Sequence, residues 1–179
     1  MKSDHHNAFG IWVTGLPASG KSTLTAALKE QLRGRGVDVA VLESDALRKT
    51  FTPNPRYDEE ERDTFYQQLA DVGALLTEQG VLVVFDATAN RRAHRDRARH
   101  QIADFLEIYV DCPLATCMAR DPKGIYRQAQ GSPTAKVPGL QTAYEPPETP
   151  DLVVKCESES PDAAAGRVVA LLTEKGYIR

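Results

Sequence analysis

The segment TGLPASGKST, residues 14–23, places two glycines, a lysine and a serine at a spacing that can hold phosphate groups. It fits the pattern G-x-x-x-x-G-K-[ST] and lies between an apolar stretch and a helix-like stretch. Glycines let backbone N–H groups turn toward phosphates, and the following helix N-terminus adds partial positive charge. Lys21 would neutralise the β and γ oxygens, and the Ser22 hydroxyl would hold Mg²⁺. The predicted nucleotide-binding residues are Gly15, Leu16, Pro17, Ala18, Ser19, Gly20, Lys21, Ser22 and Thr23; the alternative is a turn that binds nothing.

The segment ESDALRKT, residues 43–50, offers a carboxylate and an arginine after the second predicted strand. Phosphoryl transfer depends mainly on positioning and charge neutralisation, so an acceptor hydroxyl needs a nearby carboxylate and anionic groups need arginines. We therefore predict that Asp45 orients or deprotonates the acceptor hydroxyl. Arg48, one helical turn further on, is the candidate clamp for an anionic group of the substrate. The alternative is that Asp45 only caps a helix, since aspartate is a favoured N-cap.

Further candidates follow the apolar run that ends in VLVVFD. Asp86 is placed to hold the water shell of Mg²⁺, which usually takes few direct carboxylates; it could instead cap the next helix. The segment at residues 90–99 contains five arginines. A solvated helix face accounts for at least half of them. Arg92 and Arg95, predicted to lie nearest the top of the sheet, are the candidates for phosphate contact.

These side chains need a scaffold in which strand ends converge. Apolar, β-branched runs alternate with amphipathic helical patterns along the chain, which favours a parallel sheet covered by helices on both faces. Ligands then gather at the carboxyl ends of the strands. We predict an α/β fold of three layers, α/β/α, with strands at residues 8–14, 37–44, 81–85, 104–111 and 151–156. Residues 1–7 are predicted to be a flexible arm, and residues 121–150, too long for an ordinary connection, a lid and substrate loop.

Length and composition restrict the class of protein. A chain of 179 residues suits one domain, and the net charge of −3 gives no reason to expect a nucleic-acid partner. No apolar run is long enough for a bilayer and no secretory signal is visible, so we expect a cytoplasmic protein without a membrane partner. A homodimer is the assembly expected by default. Cys112, Cys117 and Cys156 are odd in number and form no C-x-x-C pair, so we expect buried thiols.

The chain resembles the adenylylsulfate kinases, small P-loop kinases that phosphorylate the 3′-hydroxyl of adenosine 5′-phosphosulfate. The resemblance is most specific in EIYVDCPLATCMARDPKGIYRQA, residues 107–129, and in YEPPETPDLVV, residues 144–154; HRDRAR also matches. It implies a P-loop NTPase fold of the nucleotide-kinase type with a lid, ATP as phosphate donor and a small-molecule nucleotide as acceptor. It further implies that Asp45 is the catalytic carboxylate and that Arg48 and Arg62 bind the nucleotide sulfate. At the lid, it implies that Arg120 binds the cofactor and that Lys123 binds the substrate.

Departures from the family pattern concentrate on the acceptor side. The family has an asparagine and two arginines where this chain has Phe65, Gln67 and Gln68. Ala89 aligns with the serine of the family's S-P-Y-R turn. Val137 aligns near the family's aromatic residue that stacks on the acceptor's adenine. DATANRR, residues 86–92, instead resembles the D-A-T-N turn of a broader group of P-loop kinases. Three hypotheses result: an adenylylsulfate kinase of sulfate assimilation, a related kinase with another nucleotide-linked or small anionic acceptor, or a nucleotide-binding module without catalysis.

Overall fold

A parallel sheet of five strands lies at the centre of the molecule. The computed structural model describes residues 8–179, so the predicted arm at residues 1–7 lies outside the described residues. The strands are β1 (Gly10–Thr14), β2 (Val39–Glu43), β3 (Leu82–Asp86), β4 (Phe105–Asp111) and β5 (Leu152–Lys155). Their order in the sheet is β2-β3-β1-β4-β5, and every neighbouring pair is parallel. All five carboxyl ends therefore meet at one edge.

Helices cover both faces of this sheet. They are α1 (Lys21–Arg33), α2 (Ser44–Phe51), α3 (Glu59–Glu78), α4 (Arg92–Gln101), α5 (Leu114–Arg120), α6 (Ile125–Gln130) and α7 (Pro161–Glu174). On one face α1 packs against α7, and on the other α3 packs against α4. Each face has its own apolar core, and Trp12 stacks on Phe85 in the α3/α4 core with ring centroids 4.6 Å apart. The predicted three-layer α/β/α fold is confirmed.

Two short helices differ from the sequence prediction. The chain after β2 forms the whole helix α2, of which the sequence indicated only one turn around Asp45 and Arg48. The segment at residues 121–150, expected to be irregular, contains α6 near its start. Between residues 8 and 179, none of the helices combines the length and the apolar character that a bilayer crossing requires.

The expectation of three free thiols is wrong for two of the cysteines. Cys112 and Cys156 form a disulfide, with their Cα atoms 5.2 Å apart, although 44 positions separate them in the chain. The pairing of strands in the sheet brings them together, because β4 and β5 are parallel neighbours and Asp111 is paired with Lys155. The residue that follows each of these two strand ends is a cysteine. Spacing along the sequence does not show this proximity. Cys117 is a free, buried thiol, as expected.

Candidate active site

The glycine-rich loop connects β1 to α1 in a conformation that depends on its glycines. Gly15 has φ +153°, and a Cβ atom there would lie 2.6 Å from the carbonyl oxygen of Val110. Gly20 leads directly into α1 and has φ +105°, a backbone conformation that residues with a Cβ atom rarely adopt. The N–H of Ser19 donates to the carbonyl of Leu16 at 3.2 Å, which closes the loop. The loop therefore presents its backbone at the N-terminus of α1, where anions are favoured.

Lys21 is the first residue of α1 and is only 8% exposed. Its Nζ donates hydrogen bonds to the carbonyl oxygens of Gly15 at 3.2 Å and Leu16 at 2.8 Å. Burial lowers the pKa of Lys21 from 10.5 to about 8, and the nearby Asp86 carboxylate opposes part of that shift. The ammonium is thus held within the loop, in a position to exchange two carbonyl partners for phosphate oxygens.

Asp86 ends β3 beside the loop and has the features of a metal-supporting carboxylate. It is 4% exposed, and burial raises its pKa, whereas a hydrogen bond from the Ser22 side chain and the charge of Lys21 act in the opposite direction. A hydroxyl and one carboxylate next to a phosphate-binding loop are the protein groups that Mg²⁺ needs, because Mg²⁺ keeps several waters and takes further oxygens from phosphates. The predicted pair Ser22 and Asp86 therefore fits this ion.

Asp45 lies in the first turn of α2, where it forms an ion pair with Lys123. The N-cap of α2 is Glu43 and receives no side-chain capping bond, so the alternative role of Asp45 as a helix cap does not hold. The side chains of Asp45 and Lys123 are 59% and 56% exposed, and the hydrogen bond to Asp45 raises the pKa of Lys123. The carboxylate is therefore accessible, and a cation from the predicted lid segment contacts it.

These groups surround a cavity of about 620 Å³ at the carboxyl edge of the sheet. The loop from Pro17 to Thr23 lines it, together with Asp45, Asp86, Arg120 and Lys123. Arg120 donates to the carbonyl of Ser19 at 3.5 Å and to that of Cys156 at 3.1 Å, so it bridges the loop and the end of β5. The structure thus brings together the residues predicted for donor binding, metal binding and catalysis. We call this space the donor cavity.

Arg48 does not line the donor cavity. Its guanidinium donates to the Glu61 carboxylate at 2.8 Å, with the two side chains 11% and 9% exposed, and it lies 3.9 Å from the centre of the Phe65 ring. Glu61 also accepts hydrogen bonds from the backbone N–H groups of Arg56 and Tyr57. Arg48 therefore fixes the start of α3 and the turn before it, in addition to any contact with substrate.

A second cavity, of about 450 Å³, is lined by residues further along the segment that follows β3. Asp86 and Thr88 line the donor cavity, whereas Asn90, two residues further on, lines the second one. Arg62 lines this second cavity; it donates to the carbonyl of Tyr57 at 3.0 Å and also to that of Lys136, which ties α3 to the lid segment. We call this space the acceptor-side cavity.

The two arginines predicted to contact phosphate lie elsewhere. Arg92 does not line either cavity; its guanidinium pairs with Glu148 at 3.2 Å, and its backbone N–H donates to Glu145. Arg95 is 1% exposed and pairs with the buried Glu107 at 2.5 Å, and it also donates to the carbonyls of Ala89 and Glu145. Arg95 therefore holds the turn after β3 against β4 and the lid segment, which is a structural role.

The family departures have clear structural positions. Phe65 lies fully buried in the α3/α4 core, whereas Gln67 and Gln68 are on the exposed face of α3. Ala89 is buried with φ +42°, and its N–H donates to the hydroxyl of Tyr66 at 3.0 Å. Val137 packs on the small apolar cluster around Cys112, Cys117 and Tyr126. None of these five positions lines either cavity.

Sequence reasoning missed four residues that shape the acceptor side: Glu61, Asn90, His94 and Lys136. Glu61 pairs with Arg48 from another helix, so no local sequence pattern indicates the contact. Asn90 was read only as part of a D-A-T-N turn, and His94 as part of a solvated arginine-rich helix. Lys136 contributes its backbone carbonyl, so no side-chain pattern announces it.

The fold and the donor cavity together define a P-loop kinase of small molecules. The sequence model of the adenylylsulphate kinase family matches residues 7–155. The probable adenylyl-sulfate kinase of Synechocystis sp. is 38% identical over 94% of this chain and 95% of its own length. The adenylyl-sulfate kinase of Gloeothece citriformis is 36% identical over 94% of this chain and 96% of its own. The chain therefore belongs to the adenylylsulfate kinase family.

Solved structures agree with this assignment. The APS kinase of Mycobacterium tuberculosis, in complex with AMPPNP and APS, is 32% identical and superposes with a TM-score of 0.87 over 93% of this chain and 98% of its own. A sugar kinase from Janibacter sp., at 17% identity and a TM-score of 0.65, shares the fold alone. The protein is thus an ATP-dependent phosphotransferase of this family.

Proposed function

We propose that the protein transfers the γ-phosphoryl group of ATP to the 3′-hydroxyl of adenosine 5′-phosphosulfate (APS), giving 3′-phosphoadenosine 5′-phosphosulfate (PAPS). The observation that carries the proposal is the pair of cavities that residues of the segment from Asp86 to Asn90 line. A relative that matches this chain over almost its full length has been solved with AMPPNP and APS together. Two nucleotides require two spaces, and the two cavities lined by this segment support the proposal.

In this proposal the donor cavity binds ATP. Lys21 leaves the carbonyls of Gly15 and Leu16 and neutralises the β and γ oxygens. Arg120, exposed at the wall of the cavity, contacts the nucleoside side of ATP. Mg²⁺ held near Ser22 and Asp86 would neutralise phosphate charge. These groups would hold the triphosphate in the donor cavity, which Asp45 also lines.

Asp45 is the proposed base. The 3′-oxygen of APS forms a bond to the γ-phosphorus, the bond from that phosphorus to the oxygen bridging it to the β-phosphorus breaks, and the hydroxyl proton passes to Asp45. ADP is the leaving group. Lys123 from the lid segment, which pairs with Asp45 in this structure, would move to the transferred phosphoryl group as substrate binds. Arg62, which lines the acceptor-side cavity, is proposed to receive the phosphosulfate. Arg48 lines neither cavity, so its proposed contact with the phosphosulfate requires its pair with Glu61 to open.

An acceptor panel tests the proposal. The wild-type protein and Asp45→Asn are incubated with ATP and Mg²⁺ and, in turn, with APS, adenosine 5′-monophosphate, gluconate and shikimate, and products are identified by mass. We expect one new phosphoryl group on APS only, at a rate at least about 10²-fold lower in Asp45→Asn. Phosphorylation of another acceptor without turnover of APS would discard the proposed acceptor. A homodimer and a cytoplasmic location stay predictions.

A further inference from the structure

The acceptor-side cavity contains buried polar atoms without partners. Asn90 and His94 both line it and are 3% and 1% exposed. Within residues 8–179, neither the Oδ1 of Asn90 nor either ring nitrogen of His94 has a hydrogen-bond partner. Buried polar side-chain atoms in proteins are nearly always paired. Unpaired atoms on two side chains beside one cavity indicate that the cavity's occupant supplies the missing partners.

Both side chains are held in place by contacts that leave these atoms free. The amide nitrogen of Asn90 donates to the carbonyl of Ala143 at 3.1 Å, and this bond assigns Oδ1 as the free atom. The ring of His94 stacks on Tyr66 with centroids 4.6 Å apart, and the hydroxyl of Tyr66 is fixed by the N–H of Ala89. The site is therefore organised before any ligand enters.

The free atoms have a defined hydrogen-bonding character. An amide oxygen only accepts. Burial lowers the pKa of His94 to about 4, with the Asp63 carboxylate 3.7 Å away acting against this shift and Arg91, Arg97 and Arg95 adding to it, so the imidazole is neutral at pH 7. A neutral imidazole has one donor nitrogen and one acceptor nitrogen. The Nε2 of His94 is the nitrogen that lies 3.7 Å from the Asp63 carboxylate, so the ring proton is on Nε2 and Nδ1 is the acceptor. The pair of side chains thus offers two acceptors to the same cavity.

We propose that Asn90 and His94 select a 6-aminopurine as the base of the acceptor nucleotide. The exocyclic amino group donates one N–H to the Oδ1 of Asn90 and its other N–H to the Nδ1 of His94. Adenine carries an amino group with two N–H donors at this position, whereas a 6-oxopurine places an acceptor against both atoms. The inference rests on the proposed function. The two side chains would hold the base although Val137 stands near the position of the family's stacking aromatic. Val137 packs instead on the small apolar cluster around Cys112, Cys117 and Tyr126.

The test compares APS with inosine 5′-phosphosulfate, which differs from APS at the 6-position. Steady-state kcat/KM is measured for the wild type, for Asn90→Ala and for His94→Phe, which keeps a ring on Tyr66 but removes both nitrogens. Asn54→Ala and His100→Phe, at exposed positions, are the matched controls. Sites built to hydrogen-bond a substrate group reject analogues that lack it strongly, so we expect the wild type to prefer APS by at least about 10²-fold.

In Asn90→Ala and His94→Phe, the KM for APS should rise at least about tenfold. The preference for APS over inosine 5′-phosphosulfate in kcat/KM should fall below about tenfold. The KM for ATP should stay within about a factor of three of the wild-type value. Equal use of both nucleotides by the wild type, or an unchanged preference in both variants, overturns the inference. Turnover with neither nucleotide refutes the proposed function. In that case calorimetric titration of APS in the presence of ADP decides the inference, and equal affinity in wild type and both variants overturns it.

Discussion

Replacing Lys21 with methionine should make the nucleotide-free protein more stable while removing most of its activity. A pKa lowered from 10.5 to about 8 corresponds to about 3 kcal/mol of unfavourable free energy for the charged form in the folded state. Methionine has a similar length and no charge. It also loses the hydrogen bonds to the carbonyls of Gly15 and Leu16, each worth about 1 kcal/mol. The net expected gain at pH 7 is about 1 kcal/mol, or a rise in Tm of roughly 2 to 4 °C.

The difference in stability between the wild type and Lys21→Met should depend on pH. Between pH 8 and 10.5 the unfolded state binds more protons at Lys21 than the folded state, so wild-type stability rises with pH relative to the variant. The penalty on the wild type should fall by about 2 kcal/mol between pH 7 and pH 9.5, which reverses the order of the two proteins. Catalysis should drop at least about 10²-fold, because the ammonium stabilises phosphate charge.

Thermal unfolding at pH 7 and pH 9.5 without nucleotide measures the effect, with a steady-state assay at saturating ATP and Mg²⁺. Lys49→Met, at an exposed lysine of α2, is the matched control and should change neither quantity. A Lys21→Met protein that is less stable at pH 7 by a margin independent of pH would refute the reasoning. Near-normal kcat in that variant would refute the kinase mechanism.

Three further changes probe other parts of the site. Asp45→Asn should lower kcat at least about 10²-fold with little change in the KM for ATP; an equal loss of ATP affinity would make Asp45 a metal ligand. Arg48→Ala should destabilise the protein by about 3 kcal/mol in urea unfolding, because Glu61 is left buried and unpaired, and should raise the KM for APS at least about tenfold. Unchanged stability would contradict the buried ion pair, which Arg48→Lys should preserve in part. Cys156→Ser should cost about 4 kcal/mol if the bond to Cys112, across 44 positions, forms in solution. Alkylation of the unfolded, unreduced wild type should modify one cysteine, and modification of three would show that the bond is absent.

The sequence predicted those features that depend on local pattern. The alternation of apolar runs and amphipathic helices was enough for the three layers, and the spacing of Gly15, Gly20, Lys21 and Ser22 was enough for the loop. The position of Asp86 at the carboxyl end of a strand was predictable because it directly follows an apolar run. In each case the residues that define the feature are close together in the chain, so a short window contains the physical cause.

Features that depend on contacts between distant segments were not visible. The disulfide follows from the parallel pairing of β4 with β5. Arg95 was predicted to contact phosphate, because the sequence does not show that its partner Glu107, on another element, lies beside it. Arg48 was assigned to substrate alone, since the sequence does not show that Glu61 lies beside it. The acceptor-side cavity likewise forms where α3, the turn after β3 and the lid segment meet. Such groupings depend on topology and not on spacing.

The central claim is that this chain moves a phosphoryl group from ATP to the 3′-oxygen of APS with Asp45 as base. The most direct measurement is phosphorus and proton NMR of the product formed by the wild-type protein from ATP, Mg²⁺ and APS. We expect a phosphomonoester whose phosphorus couples to the ribose H3′ proton, and we expect it to be nearly absent with Asp45→Asn. Formation of ADP and inorganic phosphate with APS unchanged, or a phosphoryl group on the 2′-oxygen, would contradict it.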